Sequence, residues 1–274
     1  MRNAILCCIY AAFLLACTPQ DHLTILHTND THSQVEPKAN NRAGYARRMG
    51  LIRLERALDK HLLLVDAGDF CQGTPYFNFF HGRVEIAALN RMGYDATTLG
   101  NHEFDNGLDT LAAVLRTAKF PIVCANYDFT GTALEGIVQA NTIVRKGGLK
   151  IGIFGLGCDP KGIISDKNFL PAKYLEPYAA AQEQVNLLRA EKCDIVICLS
   201  HMGTFGKAPE DVCDTALVSH TSGIDAVIGG HTHKLYNNLR VANLDGDSIP
   251  VCQMAKSGEY LGKIVLHLDS KIVK

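Results

Sequence analysis

From residue 23 onward, short apolar runs alternate with longer stretches whose apolar residues recur every three to four positions. Residues 23–27 (LTILH), 62–65, 96–99 and 121–125 read as strands, each a compact run rich in aliphatic and β-branched side chains. Residues 42–60, 82–92 and 108–119 lie between them with the spacing of amphipathic helices. In the second half the expected strands are 137–145, 149–156, 194–200, 224–229, 239–244, 250–254 and 260–268, with helices at 176–192 and 209–220. Pro177 falls in the first turn of its helix, where its missing N–H is harmless. Strands alternating with helices predict βαβ units and parallel pairing, an α/β fold. The turn Lys146-Gly147-Gly148 predicts paired strands, and 239–268 reads as further antiparallel strands added to the sheets. No linker-like segment or internal repeat interrupts residues 22–274, so they are expected to form one domain of two packed sheets with helices outside.

Composition narrows the class. Lys plus Arg (27) balances Asp plus Glu (28), and hydrophobic residues make up 47% of the 274. Extended disorder is excluded, and the absence of a basic block argues against nucleic acid as a partner. Residues 1–16 (MRNAILCCIYAAFLLA) set one arginine before an apolar run shorter than the ~20 residues of a membrane span and sized like a signal-peptide core. The run ends in Leu15-Ala16-Cys17 and then turns polar at Thr18, which resembles the bacterial lipobox. The resemblance implies cleavage before Cys17, lipid on that cysteine, and a short tether over 17–21. The expected location is the bacterial cell envelope, with Thr18 favouring the outer membrane. Seven of the 10 cysteines remain once Cys7, Cys8 and Cys17 are set aside; Cys124, Cys193, Cys198 and Cys252 sit in or beside apolar strand-like runs and are expected to be free, buried thiols.

The 11 histidines change the picture. Five apolar runs end in Asp, Asn or His: Thr28-Asn29-Asp30-Thr31-His32, Asp66-Ala67-Gly68-Asp69, Gly100-Asn101-His102-Glu103, Ser200-His201-Met202-Gly203 and Gly230-His231-Thr232-His233. Sites in α/β folds gather at the carboxyl ends of parallel strands, which share one edge. Asp30 to Asp69, Asp69 to Asn101 and His201 to His231 are each roughly 30–40 residues, the length of a βαβ unit. Imidazole and carboxylate oxygen are ligands for zinc, manganese or iron. Asp30, His32, Asp69, His201, His231 and His233 are too many for one ion and suit a pair about 3.5–4 Å apart, with Asp69 as the candidate bridge. His22, His61, His81, His220 and His267 read as surface or strand-edge residues. His27 precedes the first loop and is at most a supporting neighbour.

The motifs HTNDTH (27–32), DAGDFCQGTP (66–75), GNHEFDNG (100–107), LSHMG (199–203) and GGHTH (229–233) together resemble the calcineurin-like dinuclear metallophosphoesterases. Within them the pattern is similar to the catalytic domain of bacterial periplasmic 5′-nucleotidases and related UDP-sugar hydrolases and cyclic phosphodiesterases. The resemblance covers roughly residues 22–270 and implies a four-layer αββα sandwich, two mixed sheets flanked by helices. It implies one divalent metal at Asp30, His32, Asp69 and His233, and a second at Asp69, Asn101, His201 and His231. His102 and Asp105 resemble the family's catalytic dyad, with Asp105 orienting and charging the imidazole. The implied chemistry is phosphoester hydrolysis by water activated at the metals, with a phosphorylated small molecule, a nucleotide above all, as substrate. Cyclic nucleotides, UDP-sugars and thiosulfate-type esters are alternatives, as is a non-catalytic metal-binding lipoprotein. Family 5′-nucleotidases continue into a second domain that stacks the nucleobase, whereas this sequence stops at Lys274. The expectation is a catalytic domain without the C-terminal nucleotide-recognition domain, weak base preference, and a separate C-terminal-domain protein as a possible partner.

Overall fold

The computed structural model describes residues 21–208 and 211–268; the expected leader (1–16) and Cys17 lie outside the described residues. The first half supplies β1 (His22–Thr28), β2 (Leu63–Asp66), β3 (Ala96–Thr97), β4 (Ile122–Val123), β5 (Tyr127–Asp128) and β6 (Val138–Gln139). The second half supplies β7 (Asn141–Lys146), β8 (Leu149–Leu156), β9 (Lys173–Tyr174), β10 (Ile195–Ser200), β11 (Ala226–Ile228), β12 (Leu235–Ala242), β13 (Ser248–Met254) and β14 (Gly262–His267). One six-stranded sheet has the order β14-β1-β2-β3-β4-β6 and a second the order β12-β13-β11-β10-β8-β7. The interiors are parallel, while β14, β12 and β7 pair antiparallel at the edges.

Side-chain alternation explains the layering. Successive residues of a strand face opposite sides of its sheet. Leu23, Ile25, Leu63 and Val65 of the first sheet meet Ile151, Ile153, Ile195, Ile197 and Leu199 of the second in a core between the sheets. Leu26, Leu62 and Leu64 face the other way, against helices α1 (Tyr45–Leu58), α3 (Arg83–Met92) and α4 (Gly107–Leu115), with the short α2 (Pro75–Phe80) packed alongside. Phe154, Val196 and Cys198 face outward in the second sheet, beneath α6 (Pro177–Ala190) and α7 (Asp214–His220), while α5 (Asp166–Phe169) is a single turn. Both faces of both sheets are covered, which is why the strands read as continuous apolar runs. The result is the expected four-layer αββα sandwich. All seven cysteines of the described residues are free and buried.

The boundaries shift for local reasons. Ala43 and Gly44 have φ of 61° and 88°, so α1 begins at Tyr45 and not at 42. The helix expected over 209–220 forms only from Asp214, because Asp211 ties its carboxylate to the N–H groups of Lys207 and Ala208 and Cys213 is extended. The α6 start is as expected: Pro177 opens it, and the Glu176 carboxylate accepts from the N–H groups of Tyr178 and Ala179. Residues 239–268 do not form one antiparallel unit. β12 pairs with β13, but β14 crosses to the first sheet and pairs with β1, Ile25 opposite Ile264.

Gly155 marks where the sheets touch: a methyl there would overlap the Val123 carbonyl oxygen and the Thr98 hydroxyl. Gly155→Ala should destabilise the protein by ~1–3 kcal/mol through overpacking. Gly50, on the solvent side of α1 with nothing near its Cα, should gain up to ~1 kcal/mol on Gly50→Ala from helix propensity. Urea unfolding should move the two midpoints in opposite directions.

Candidate metal centre

The five motif loops leave the carboxyl ends of β1, β2 and β3 in one sheet and of β10 and β11 in the other, so the site lies on the shared edge of both sheets. The loops after β1 and β2 are laced together: Asp30 N–H donates to Gly68 O, and His32 N–H donates to Asp69 O, both at 2.9 Å. Gly68 has φ 86°, and a methyl on it would lie 2.5 Å from Gly100 N, so the second and third loops can meet only over a glycine.

Asp30, His32, Asp69 and His233 bring one potential ligand atom each within 4.8 Å of one another, a group that could hold a metal ion. His32 Nε2 and His233 Nε2 are 2.9 Å apart, and the latter is 3.4 Å from Asp30 Oδ1. His201 lies against the same carboxylates, its Nε2 at 3.1 Å from Asp69 Oδ2 and 3.7 Å from Asp30 Oδ1. His231 Nδ1 meets Asn101 Oδ1 at 3.0 Å, and its backbone N–H donates to Asp30. His102 and Asp105 form the expected pair, Nδ1 to Oδ2 at 3.0 Å, and the His102 ring packs edge-on against His32 at 5.4 Å. All nine residues singled out in the sequence therefore gather at one edge.

The donor set fits a cation. His201 Nδ1 donates to Ala67 O at 2.6 Å, which leaves Nε2 as a lone pair facing two carboxylates unless a positive charge sits there. Burial works against protonation of His201, but Asp69 and Asp30 outweigh burial and hold its pKa well above the usual imidazole value. Burial favours the protonated form of Asp69, yet His201, His102 and His32 overcome it and push its carboxyl below the ordinary range. His231 moves the other way, to about 4, through burial and then its neighbour His201.

The backbone supports the same reading. Asp30, His32, Asp69, His231 and His233 have φ of 48°, 44°, 53°, 72° and 56°. Left-handed conformations are uncommon for such residues, cost of order 1–3 kcal/mol each, and cluster at functional sites. The left-handed loops are held in place by a group that sequence reasoning missed. Glu103 is buried and accepts from Asp69 N (2.9 Å), Gly100 N (2.6 Å) and Cys71 N (3.0 Å). Burial and the Asp69 charge raise its pKa to about 7. Asn29 and Gln253 are similar: Asn29 ties Met254 N–H and Ala255 O to the first loop, and Gln253 donates to Gly230 O. The signal for Glu103 was its place between His102 and Phe104 inside GNHEFDNG, a carboxylate with no role yet assigned.

The family model for calcineurin-like phosphoesterases matches residues 23–235. The chain belongs to that family. It is 35% identical to a snake venom 5′-nucleotidase of Gloydius brevicauda, over 96% of this chain and 48% of that protein. Among solved structures, a 5′-nucleotidase precursor from Thermus thermophilus superposes with TM-score 0.82 at 32% identity, covering 91% of this chain and 52% of that one. The calcineurin-like phosphoesterase YfkN from Bacillus subtilis gives 0.77 at 31%, covering 92% and 86%. The chain spans about half the length of the curated 5′-nucleotidases it matches.

His27 stands apart from the centre. It is fully buried and its Nδ1 has no hydrogen-bond partner among the described residues. Burial lowers its pKa to about 4, from an ordinary 6.5. The neutral form is the one the fold accepts, so the stability it contributes is present above pH 6.5 and is lost as pH falls toward 4, by on the order of 3 kcal/mol. His27→Leu should remove that loss. Urea midpoints measured at pH 7 and pH 4 should fall less for the variant than for the parent.

Proposed function

We propose that the chain hydrolyses phosphate esters of nucleotides at a dinuclear divalent-metal centre. The observation that carries the reading is the convergence of Asp30, His32, Asp69 and His233 on one point, with His201 across Asp69. In this reading Asp30, His32, Asp69 and His233 would hold one ion and Asp69, Asn101, His201 and His231 the other, so Asp69 would serve both. Bound divalent cations supply Lewis-acid charge for phosphoryl oxygens and make water acidic enough to act as a nucleophile at neutral pH.

The chain's own residues do the rest. Burial disfavours protonation of His102, but the Asp105 hydrogen bond and the Asp69 charge outweigh it and raise its pKa. Asp105 occupies Nδ1, so Nε2 is left to donate a proton to a phosphoryl or leaving-group oxygen. A nucleotide as substrate rests on the relatives, which include 5′-nucleotidases and a trifunctional nucleotide phosphoesterase. UDP-sugars and cyclic nucleotides are the competing substrates of the same site. We place the protein in the bacterial cell envelope, lipid-anchored through Cys17, on the strength of its leader sequence.

Elemental analysis and turnover test the roles together. Asp69→Asn should lose divalent metal and activity together, because one charged ligand serves both ions. His102→Ala should keep its metal and lose about 10²–10⁴ in kcat on p-nitrophenyl phosphate. An Asp69→Asn variant with full metal content would sink the bridging role, and a metal-free His102→Ala would sink the proton-donor role. A panel of AMP, cyclic AMP and UDP-glucose, read as kcat/KM, should place AMP first.

A further inference from the structure

Helix α1 is apolar on two faces. It packs Tyr45, Met49 and Ile52 on the core and buries Arg48, 5% exposed, beside them, and it shows solvent Leu51, Leu54 and Leu58 at 51%, 65% and 80% exposure. These leucines are spaced i, i+3 and i+7, so they form one stripe along the helix. Ala46, Gly50 and Ala57 are exposed too and add no polar group. Single exposed leucines are ordinary, but a stripe over two turns marks an interaction surface. Arg48 is drawn inward by the fold: its guanidinium lies 5.2 Å over the Tyr45 ring and its charge reaches the buried Asp66.

We infer that α1 seats the protein on an anionic lipid surface, its leucine stripe lying in the plane of the membrane interface. Three observations single out this occupant. The rim is cationic: Arg47, Arg53 and Lys60 are exposed around the stripe, while Glu55 is taken up by Lys263 at 2.7 Å. Next to Leu51 the surface continues into a cavity of about 300 Å³ whose lining includes Arg42, Arg47, Tyr260 and Glu259, the last paired with Lys38 at 2.6 Å. Basic groups beside an amphipathic aromatic suit the headgroup region of a bilayer. The third is the course of the chain. His22 Nε2 lies 4.0 Å from the carboxylate of Asp59, the residue that ends α1. The described residues therefore begin at the end of α1 that carries Leu58, the most exposed leucine of the stripe. Residues 1–20 include the apolar run 4–16 and Cys17, and five residues from Cys17 to His22 reach at most ~18 Å. Among the described residues no helix is long and apolar enough to cross a membrane. The inference stands on α1 itself and does not depend on the hydrolytic reading.

The sequence contains no tryptophan, which makes a single introduced indole a clean reporter. Leu54→Trp in the full chain should shift its emission to the blue on adding phosphatidylethanolamine–phosphatidylglycerol vesicles. Leu244→Trp, equally exposed at 65% in the turn after β12, should not move. The full chain carrying Leu51→Gln, Leu54→Gln and Leu58→Gln should partition onto these vesicles at least tenfold more weakly than the parent, with an unchanged unfolding midpoint. Both proteins carry the same leader, so the difference reads α1 alone. Binding of the parent should weaken with salt and on phosphatidylcholine vesicles. Emission at Leu54→Trp that ignores vesicles, or equal partitioning of parent and triple variant, would overturn the inference. A blue shift that follows protein concentration without lipid would assign the stripe to a second copy of the chain instead.

Discussion

Asp30 and Asp69 are buried carboxylates whose ion-pair partners, among the described residues, are imidazoles only. Removing an anion from water costs several kcal/mol unless opposite charge replaces the lost hydration. Everything around the pair answers that demand. His201 is held by Ala67 O so that one nitrogen faces both carboxylates, backbone N–H groups of His231 and His102 point at them, and Glu103 next door is pushed toward its neutral form. Positive charge at this point, on His201 or on a bound cation, therefore answers a demand of the fold itself. The same demand explains why five residues tolerate left-handed backbone, since only such turns aim so many polar atoms inward from short loops.

The architecture makes this concentration possible. Covering both faces of both sheets leaves the strand ends as the free edges, and packing two parallel sheets face to face doubles the number of carboxyl ends available at one place. Three loops from one sheet and two from the other meet there. Glycines let the loops approach: a side chain at Gly100 would overlap the Asp69 carboxylate.

Much of this was legible in the sequence because each feature is local. The strand ends with their Asp, Asn and His residues could be read from apolar runs, and β8 lies where it was expected, at Leu149–Leu156. What could not be read depends on partners distant in the chain. β14 has the pattern of a hairpin strand, and only tertiary packing sends it to β1. The short α2, α5 and the two-residue ladder of β5 with β9 are below the length at which periodicity carries information. Glu103 was hidden because its work is to accept backbone N–H groups, and those loops come together only after folding. In α1 the spacing offered two faces, and no local rule says that the one bearing Arg48 turns inward.

The order of the loops along the chain has a kinetic meaning. Asp30 and His231, like His32 and His233, are 201 residues apart and yet in contact. Contacts of such separation form late, after the entropy of closing the intervening chain has been overcome. The first sheet carries both carboxylates but, of the histidines around them, only His32 and His102; the second carries the rest. Neither half alone can assemble the centre. A nascent or proteolytically shortened chain therefore lacks the complete cluster of carboxylates and imidazoles, which closes only when the second sheet docks on the first.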